Sequence, residues 1–265
     1  YVTLTSVVLA IIVALDLFAS GVLDVYGLNA DVLYSNRASY RDFLDKYYEV
    51  TELVDEREGD NFYREEKLNH RKTNDNFALG IKGLSNSTST LNSDVIDLLR
   101  RFGFTSKSHW SKYVGGTLPT DSFFGIKYIY GDFWGSGIPD YIEENYKQIY
   151  KTDDNIVVYE NPYAMSVAFG VDRSILDYKT DEKPMFADPF EYMNEVYSLM
   201  SGDEELQIWE NILVSSTDHE GNRKFGTEQN HTGYEKNSGA TTATITYKFT
   251  APDERPIYMY IPSNW

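Results

Sequence analysis

The first 23 residues constrain this chain more than any other part of it. Residues 1–15 carry no charge, and the apolar run continues from Leu17 to Leu23 with Asp16 as its single interruption. A helix that crosses the hydrocarbon core of a bilayer needs about 20 mostly apolar residues, and Tyr1–Leu23 meets that length. No Lys or Arg occurs before Arg37, whereas Asp16, Asp24 and Asp31 do. Cytoplasmic flanks are enriched in Lys and Arg, so the segment is expected to leave the membrane on its outer face. A signal peptide would bring a basic n-region and an Ala-x-Ala site, and the run shows neither. A buried core helix is the competing reading. Asp16 favours it, because a carboxylate at mid-bilayer is costly.

Beyond this stretch the chain has the composition of a folded protein. Its 265 residues suffice for one large domain or two small ones, and 42% of them are hydrophobic, too many for a disordered chain. Lys and Arg number 24 against 41 Asp and Glu, a net charge of −17. That surface repels polyanions, so no nucleic-acid partner is expected. The absence of cysteine removes disulfides, thiolate zinc sites and cysteine nucleophiles. With only His70, His109, His219 and His231, neither a metal site nor a cofactor is expected.

The pattern predicts an amphipathic helix over 37–54 and strands at 61–66 and 77–82. Ser85–Thr90 reads as a loop. A helix over 92–102 follows, capped by Asn92, with Arg100 and Arg101 in its last turn and Gly103 as its stop. Phe124–Tyr130, Ile156–Tyr159 and Met165–Val171 have strand composition, with Asn161-Pro162 as the turn between the last two. Asp188-Pro189-Phe190-Glu191 starts a helix to about Met200, with Glu191 closing a capping box. Ser215–Ala240 is polar with little to bury. Thr244–Phe249 and Ile257–Ile261 alternate like strands and are expected to form an antiparallel hairpin. The fold class expected is α+β: a mixed α/β domain with a small mixed sheet, then the start of a jelly-roll-like antiparallel β-sandwich. The expected divisions are 1–30, the end of a transmembrane helix, 31–204, the mixed domain, and 205–265, a partial all-β region.

Several stretches, in order, resemble the YfhO family of bacterial membrane proteins. They are Leu28-Asn29-Ala30, Phe62-Tyr63-Arg64-Glu65-Glu66, Thr73-Asn74-Asp75-Asn76 with Gly80-Ile81-Lys82-Gly83, and Ser87-Thr88-Ser89-Thr90-Leu91-Asn92. Leu98–Gly103, Asp121–Tyr128, Tyr159–Ala164 and Asp188–Glu191 continue the series. Asp16 and the acidic helix 37–57 depart from the family's pattern. The resemblance implies a GT-C-type glycosyltransferase that uses a polyprenyl-phosphate sugar donor and decorates a teichoic-acid-type glycopolymer acceptor outside the cell. It also implies that the catalytic carboxylate lies outside this segment, which is the extracellular part that holds or orients the acceptor at the cell membrane.

The residues themselves offer weaker chemistry. Adjacent acids such as Glu65/Glu66, Asp153/Asp154 and Glu204/Glu205 are expected to be solvated faces, which argues against a hydrolase built on a carboxylate pair. Asp218-His219-Glu220-Gly221-Asn222 lacks the ligand spacing of a calcium loop and reads as a turn in a polar loop. No Gly-x-Ser-x-Gly elbow occurs to anchor a serine nucleophile. Asn74, Ser89 and Asn92 carry amide and hydroxyl groups suited to sugar hydroxyls and phosphate, or equally to capping and local turns. Lys127 can reach a phosphate or sit on a wet sheet face. Glu160 and Asn161 lie at a strand end as possible ligands, although Asn-Pro is first of all a turn. Among 22 Tyr and 4 Trp, Trp110 and Trp134 sit in polar, Gly-rich surroundings as candidate carbohydrate platforms. A non-catalytic cell-surface carbohydrate-binding module is the alternative function.

Overall fold

The computed structural model describes residues 2–31, 36–132, 137–179, 188–228 and 231–261. The chain divides into two compact units, Tyr1–Tyr48 and Glu49–Trp265.

In the first unit, α1 spans Val2–Asp31. Residues 2–28 have a mean hydropathy of 2.4 and none of that stretch is buried. At 1.5 Å per residue these 27 residues extend roughly 40 Å, more than the ~30 Å hydrocarbon core. The Ser6 hydroxyl donates to the Val2 carbonyl at 2.9 Å, so its polar group is satisfied within the helix. The helix runs past the expected Leu23 to Asp31 because nothing in 24–31 stops it. The next helix, α2, covers Arg37–Glu58. Asn36 caps it by accepting from the Ala38 N–H at 2.8 Å. Its second half lies in the second unit, where Val50 and Val54, four residues apart on one face, are fully buried.

The second unit is built on a four-stranded sheet in the order β1-β5-β7-β6. Here β1 is Arg64–Lys67, β5 Ile126–Asp132, β6 Lys147–Lys151 and β7 Ile156–Glu160. The β1–β5 pairing is parallel and the other two are antiparallel, so the sheet is mixed as expected. Strands β5 and β7 are buried on both faces, which is why Phe124–Tyr130 reads as a continuous apolar run rather than an alternation. A second sheet orders β2 (Asn86–Ser87), β4 (Trp110–Lys112) and β3 (Thr105–Lys107). Interspersed among these strands along the chain are α3 (Asp75–Leu79), α4 (Ser93–Arg101), α5 (Leu118–Phe123) and α6 (Asp140–Asn145). Helix α4 sends Leu99 into the core, and Phe102 follows at its end. Phe102 stacks on Phe123 at 4.9 Å and meets Phe124 and Tyr192 edge-on at 5.0 and 5.2 Å. Removing a buried aromatic from such a cluster costs roughly 3–5 kcal/mol. Helix α7, Pro189–Ser201, adds Tyr192, Met193, Val196 and Tyr197 to the same core.

Several expectations are corrected. Residues 77–82 are not a strand: Asp75–Leu79 is a short helix. Asp75 accepts from the Arg71 and Lys72 N–H groups at 2.6 and 3.1 Å and so winds the chain into a turn just before it. Met165–Val171 forms no strand, because both sides of β7 are already taken by β5 and β6. Asp188 caps α7 through the Phe190 N–H at 2.8 Å, without a reciprocal contact from Glu191.

The C-terminal region departs furthest. The polar stretch after residue 213 forms strands β8 (Val214–Glu220), β9 (Asn222–Glu228) and β10 (His231–Lys236), within the region expected to be all-β. Gly221 joins β8 to β9 with φ +68°, where a Cβ would meet the Thr242 carbonyl oxygen at 2.4 Å. The Asp218–Asn222 stretch is therefore a tight strand–turn–strand. Strand β11, Thr244–Phe249, pairs with β8 and not with 257–261. Residues 257–261 turn Tyr258 and Tyr260 inward, and Tyr258 meets Trp209 edge-on at 5.1 Å. That aromatic anchor takes the segment away from the expected hairpin. The described residues contain two separate two-stranded ribbons, β8–β11 and β9–β10, and no sandwich.

Candidate functional site

Strand β1 reads Arg-Glu-Glu-Lys, yet Glu65, Glu66 and Lys67 are all buried. Charges tolerate such burial only when each is paired and hydrogen-bonded. Glu66 accepts four hydrogen bonds and has His70 beside it. Its Oε1 accepts from Asn76 Nδ2 at 2.9 Å and the Lys67 N–H at 3.1 Å, with His70 Nε2 at 3.2 Å. Its Oε2 accepts from the Leu84 and Ser85 N–H groups at 2.6 and 3.0 Å. Lys67 Nζ pairs with Asp75 Oδ2 at 3.2 Å. Burial pulls the Lys67 ammonium below its ordinary range, and Asp75 opposes that pull. Glu65 receives the Tyr130 hydroxyl, and burial still pushes its carboxyl up to about 7.

His70 and Ser85 lie 3.0 Å apart beside Glu66, which invites comparison with a nucleophilic relay. A relay needs the serine on one ring nitrogen and the acid on the other. Here both Ser85 Oγ and Glu66 Oε1 approach Nε2, while Nδ1 has no partner. Ser85 is also 1% exposed and accepts from the Tyr113 N–H at 2.9 Å. The cluster is a clasp that holds the 80–87 loop over β1.

That clasp shapes a cleft of ≈ 180 Å³ lined by Asn76, Phe77, Ile81, Lys82, Gly83, Ser85 and Asn86. Gly83 lets the loop close down. A Cβ there would lie 2.4 Å from Asn76 Nδ2, 2.5 Å from Glu66 Oε2 and 2.7 Å from the Glu65 carbonyl oxygen. Asn76 Nδ2 donates to Glu66 Oε1 and to the Ser85 carbonyl at 3.2 Å. Those two acceptors fix the amide's orientation. They leave Asn76 Oδ1 buried with no donor, and Asn86 Oδ1 is in the same condition. The Phe77 ring is 66% exposed. Lys82 lies 4.3 Å over the Tyr63 ring and 3.6 Å from Asp55.

The residues singled out from sequence fall into two groups. The Asn74 amide pairs with Ser87 as a strand residue would, accepting from its N–H at 2.7 Å and donating to its carbonyl at 3.0 Å. This places Asn74 next to the cleft loop. Asn92 caps α4, accepting from the Asp94 and Val95 N–H groups at 2.8 and 3.4 Å. Ser89 is exposed on the turn before it. Lys127, Glu160 and Asn161 come together at the β5–β7 end. Lys127 Nζ binds Glu58 Oε1 at 2.5 Å, and Arg57 binds Glu160 at 2.8 Å. Asn161 is buried, donating to the Ile126 carbonyl at 3.1 Å and accepting from the Tyr163 N–H at 2.9 Å. Trp110 is half-buried on β4, and Trp134 lies outside the described residues. Sequence reasoning passed over Asn76, Phe77 and Asn86. The run Asn74-Asp75-Asn76-Phe77, an aromatic set among amides, was the available signal.

A second buried carboxylate escaped it altogether. Asp121 on α5 is 0% exposed. The Tyr113, Tyr141 and Tyr146 hydroxyls donate to it at 2.8–2.9 Å. Burial pushes its carboxyl up to about 7, against those three donors. These four residues are too scattered in sequence for any spacing rule to join them. Among the described residues, no group of three or more His, Cys, Asp or Glu could hold a metal ion.

The chain thus joins an apolar helix long enough to cross a bilayer, none of it buried, to a folded α+β unit. The chain belongs to the YfhO family of bacterial membrane proteins, which matches it over residues 1–265. No curated protein and no solved structure matches it.

Proposed function

We propose that this chain is the extracellular portion of a polytopic membrane glycosyltransferase. The enzyme adds sugars from a polyprenyl-phosphate donor to a teichoic-acid-type polymer, and this portion holds or orients the acceptor. The observation that carries the reading is α1, apolar over 27 residues and unburied throughout. In a chain of this family, such a helix ties the α+β unit to the bilayer, where a lipid-linked donor resides. Holding an acceptor at that surface raises the rate by proximity without contributing a catalytic group. In this reading Ser89, on its exposed turn, contacts the polymer directly. Asn74 and Asn92 hold the flanking loop in shape. Lys127, Glu160 and Asn161 brace the β5–β7 end.

The test is a titration of the chain, reconstituted in nanodiscs, with teichoic-acid fragments at low and high salt. The net charge of −17 repels an anionic polymer at long range, and salt screens that repulsion within about 10 Å. Binding is expected to hold or strengthen as salt rises. Absence of binding at millimolar fragment overturns the acceptor-holding role. Sugar transfer by this chain alone overturns the assignment of catalysis to other parts of the enzyme.

A further inference from the structure

We infer that the cleft between α3 and the 80–87 loop is a binding site for one neutral sugar ring, read by its hydroxyls and not by phosphate. Its chemistry is one-sided. Asn76 Oδ1 and Asn86 Oδ1 are acceptors without donors. A buried acceptor left unpaired costs about 1–3 kcal/mol, so a ligand that donates to it relieves a penalty the fold already carries. Sugar hydroxyls donate, whereas the oxygens of an ionised phosphate only accept. The charge nearby points the same way. The Glu66 carboxylate lies directly under Gly83, and Lys82, the cation at the cleft, already faces Asp55 at 3.6 Å and the Tyr63 ring.

The remaining wall suits a pyranose. Phe77 borders the cleft with its ring 66% exposed, an apolar face against which the C–H side of a sugar packs. The ≈ 180 Å³ of space suits a single ring and not a polymer segment. Both amide oxygens are shut off from bulk water, so the ring reaches them only by displacing side chains at the cleft. The loop beneath is held by the two backbone N–H bonds to Glu66, which keeps the acceptors in place before the ligand arrives. This inference stands on the cleft alone and does not depend on the transferase reading.

The experiment is amide-shift NMR of the reconstituted chain, titrated with methyl glycosides of glucose, galactose and N-acetylglucosamine, and separately with glycerol 1-phosphate. Saturable shifts at Asn76, Phe77, Gly83 and Asn86 with at least one glycoside are expected, together with glycerol 1-phosphate binding more weakly than that glycoside. Phe77→Ala and Asn86→Ala should each weaken the glycoside at least tenfold. Because Asn86 Oδ1 bonds to nothing, Asn86→Ala should leave the melting temperature unchanged or raised, which separates lost contact from lost fold. No shifts with any glycoside, tighter binding of glycerol phosphate, or unchanged affinity in both variants overturns the site. Glycoside binding without teichoic-acid binding sinks the acceptor-holding proposal and leaves this site standing.

Discussion

Asp121 is fully buried with three phenols for partners, and Glu65 is buried against another. Both carboxyls are pushed up to about 7, first by burial, whereas unfolded carboxyls titrate near about 4. The folded state thus binds their protons more tightly than the unfolded chain does. The stability linked to this difference is fully present below about pH 4 and is lost as pH rises through about 7. Thermal melts at pH 5 and pH 8 should show a lower melting temperature at pH 8, by several degrees. Asp121→Asn should flatten that slope, costing more at pH 5 than at pH 8. A slope unchanged in the variant would mean that Asp121 does not carry it.

At the scale of elements, the α3–loop–β2 unit depends on Gly83. The loop closes on Glu66 and Asn76 only because no side chain projects there. Gly83→Ala places a methyl against a backbone carbonyl and a buried, fully bonded carboxylate, neither of which can step aside. The expected loss is roughly 2–3 kcal/mol in urea denaturation, with the cleft amides shifted in NMR spectra. A loss below about 0.5 kcal/mol, the range of ordinary surface changes, would show that the clasp is looser than its geometry. The same element shows why 77–82 misleads as sequence. Phe-Ala-Leu-Gly-Ile-Lys has strand-like composition, but Asp75 satisfies two upstream N–H groups and commits the chain to a turn first.

For the whole molecule, α1 sets location. Ile12 is exposed in the middle of the 2–28 stretch. Ile12→Lys should reduce membrane integration of the chain, since a lysine near a helix centre costs about 2.5–3.5 kcal/mol to insert. Alkaline carbonate extraction of vesicles should move the variant from pellet to supernatant. Full retention of the variant in the pellet would argue that α1 does not span. The two ribbons after α7 concern this scale as well. A lone two-stranded ribbon is marginal in water, and Ile245, Tyr247 and Phe249 fall on one face of β11, each still more than a third exposed.

What the sequence determined by itself was local. Asn92 with Arg100, Arg101 and Gly103 specified α4, Asp188-Pro189 with Gly202 specified α7, and the uncharged run specified α1, because caps, stops and hydropathy act within a few residues. The Asn161-Pro162 turn was legible for the same reason. The tertiary structure alone decided which strands found partners. Met165–Val171 failed because β7 had no free edge, β11 chose β8, and 257–261 was drawn off by the Trp209–Tyr258 contact. Ser215–Ala240 hid its strands because a ladder closed by backbone bonds needs no apolar alternation. The candidate site was half visible. Asn74 and the Ser85–Asn92 stretch marked its neighbourhood, but Asn76 and Asn86 matter only because the loop's closure left their carbonyls without donors. An unsatisfied group is a property of packing, and no single position in a sequence records it.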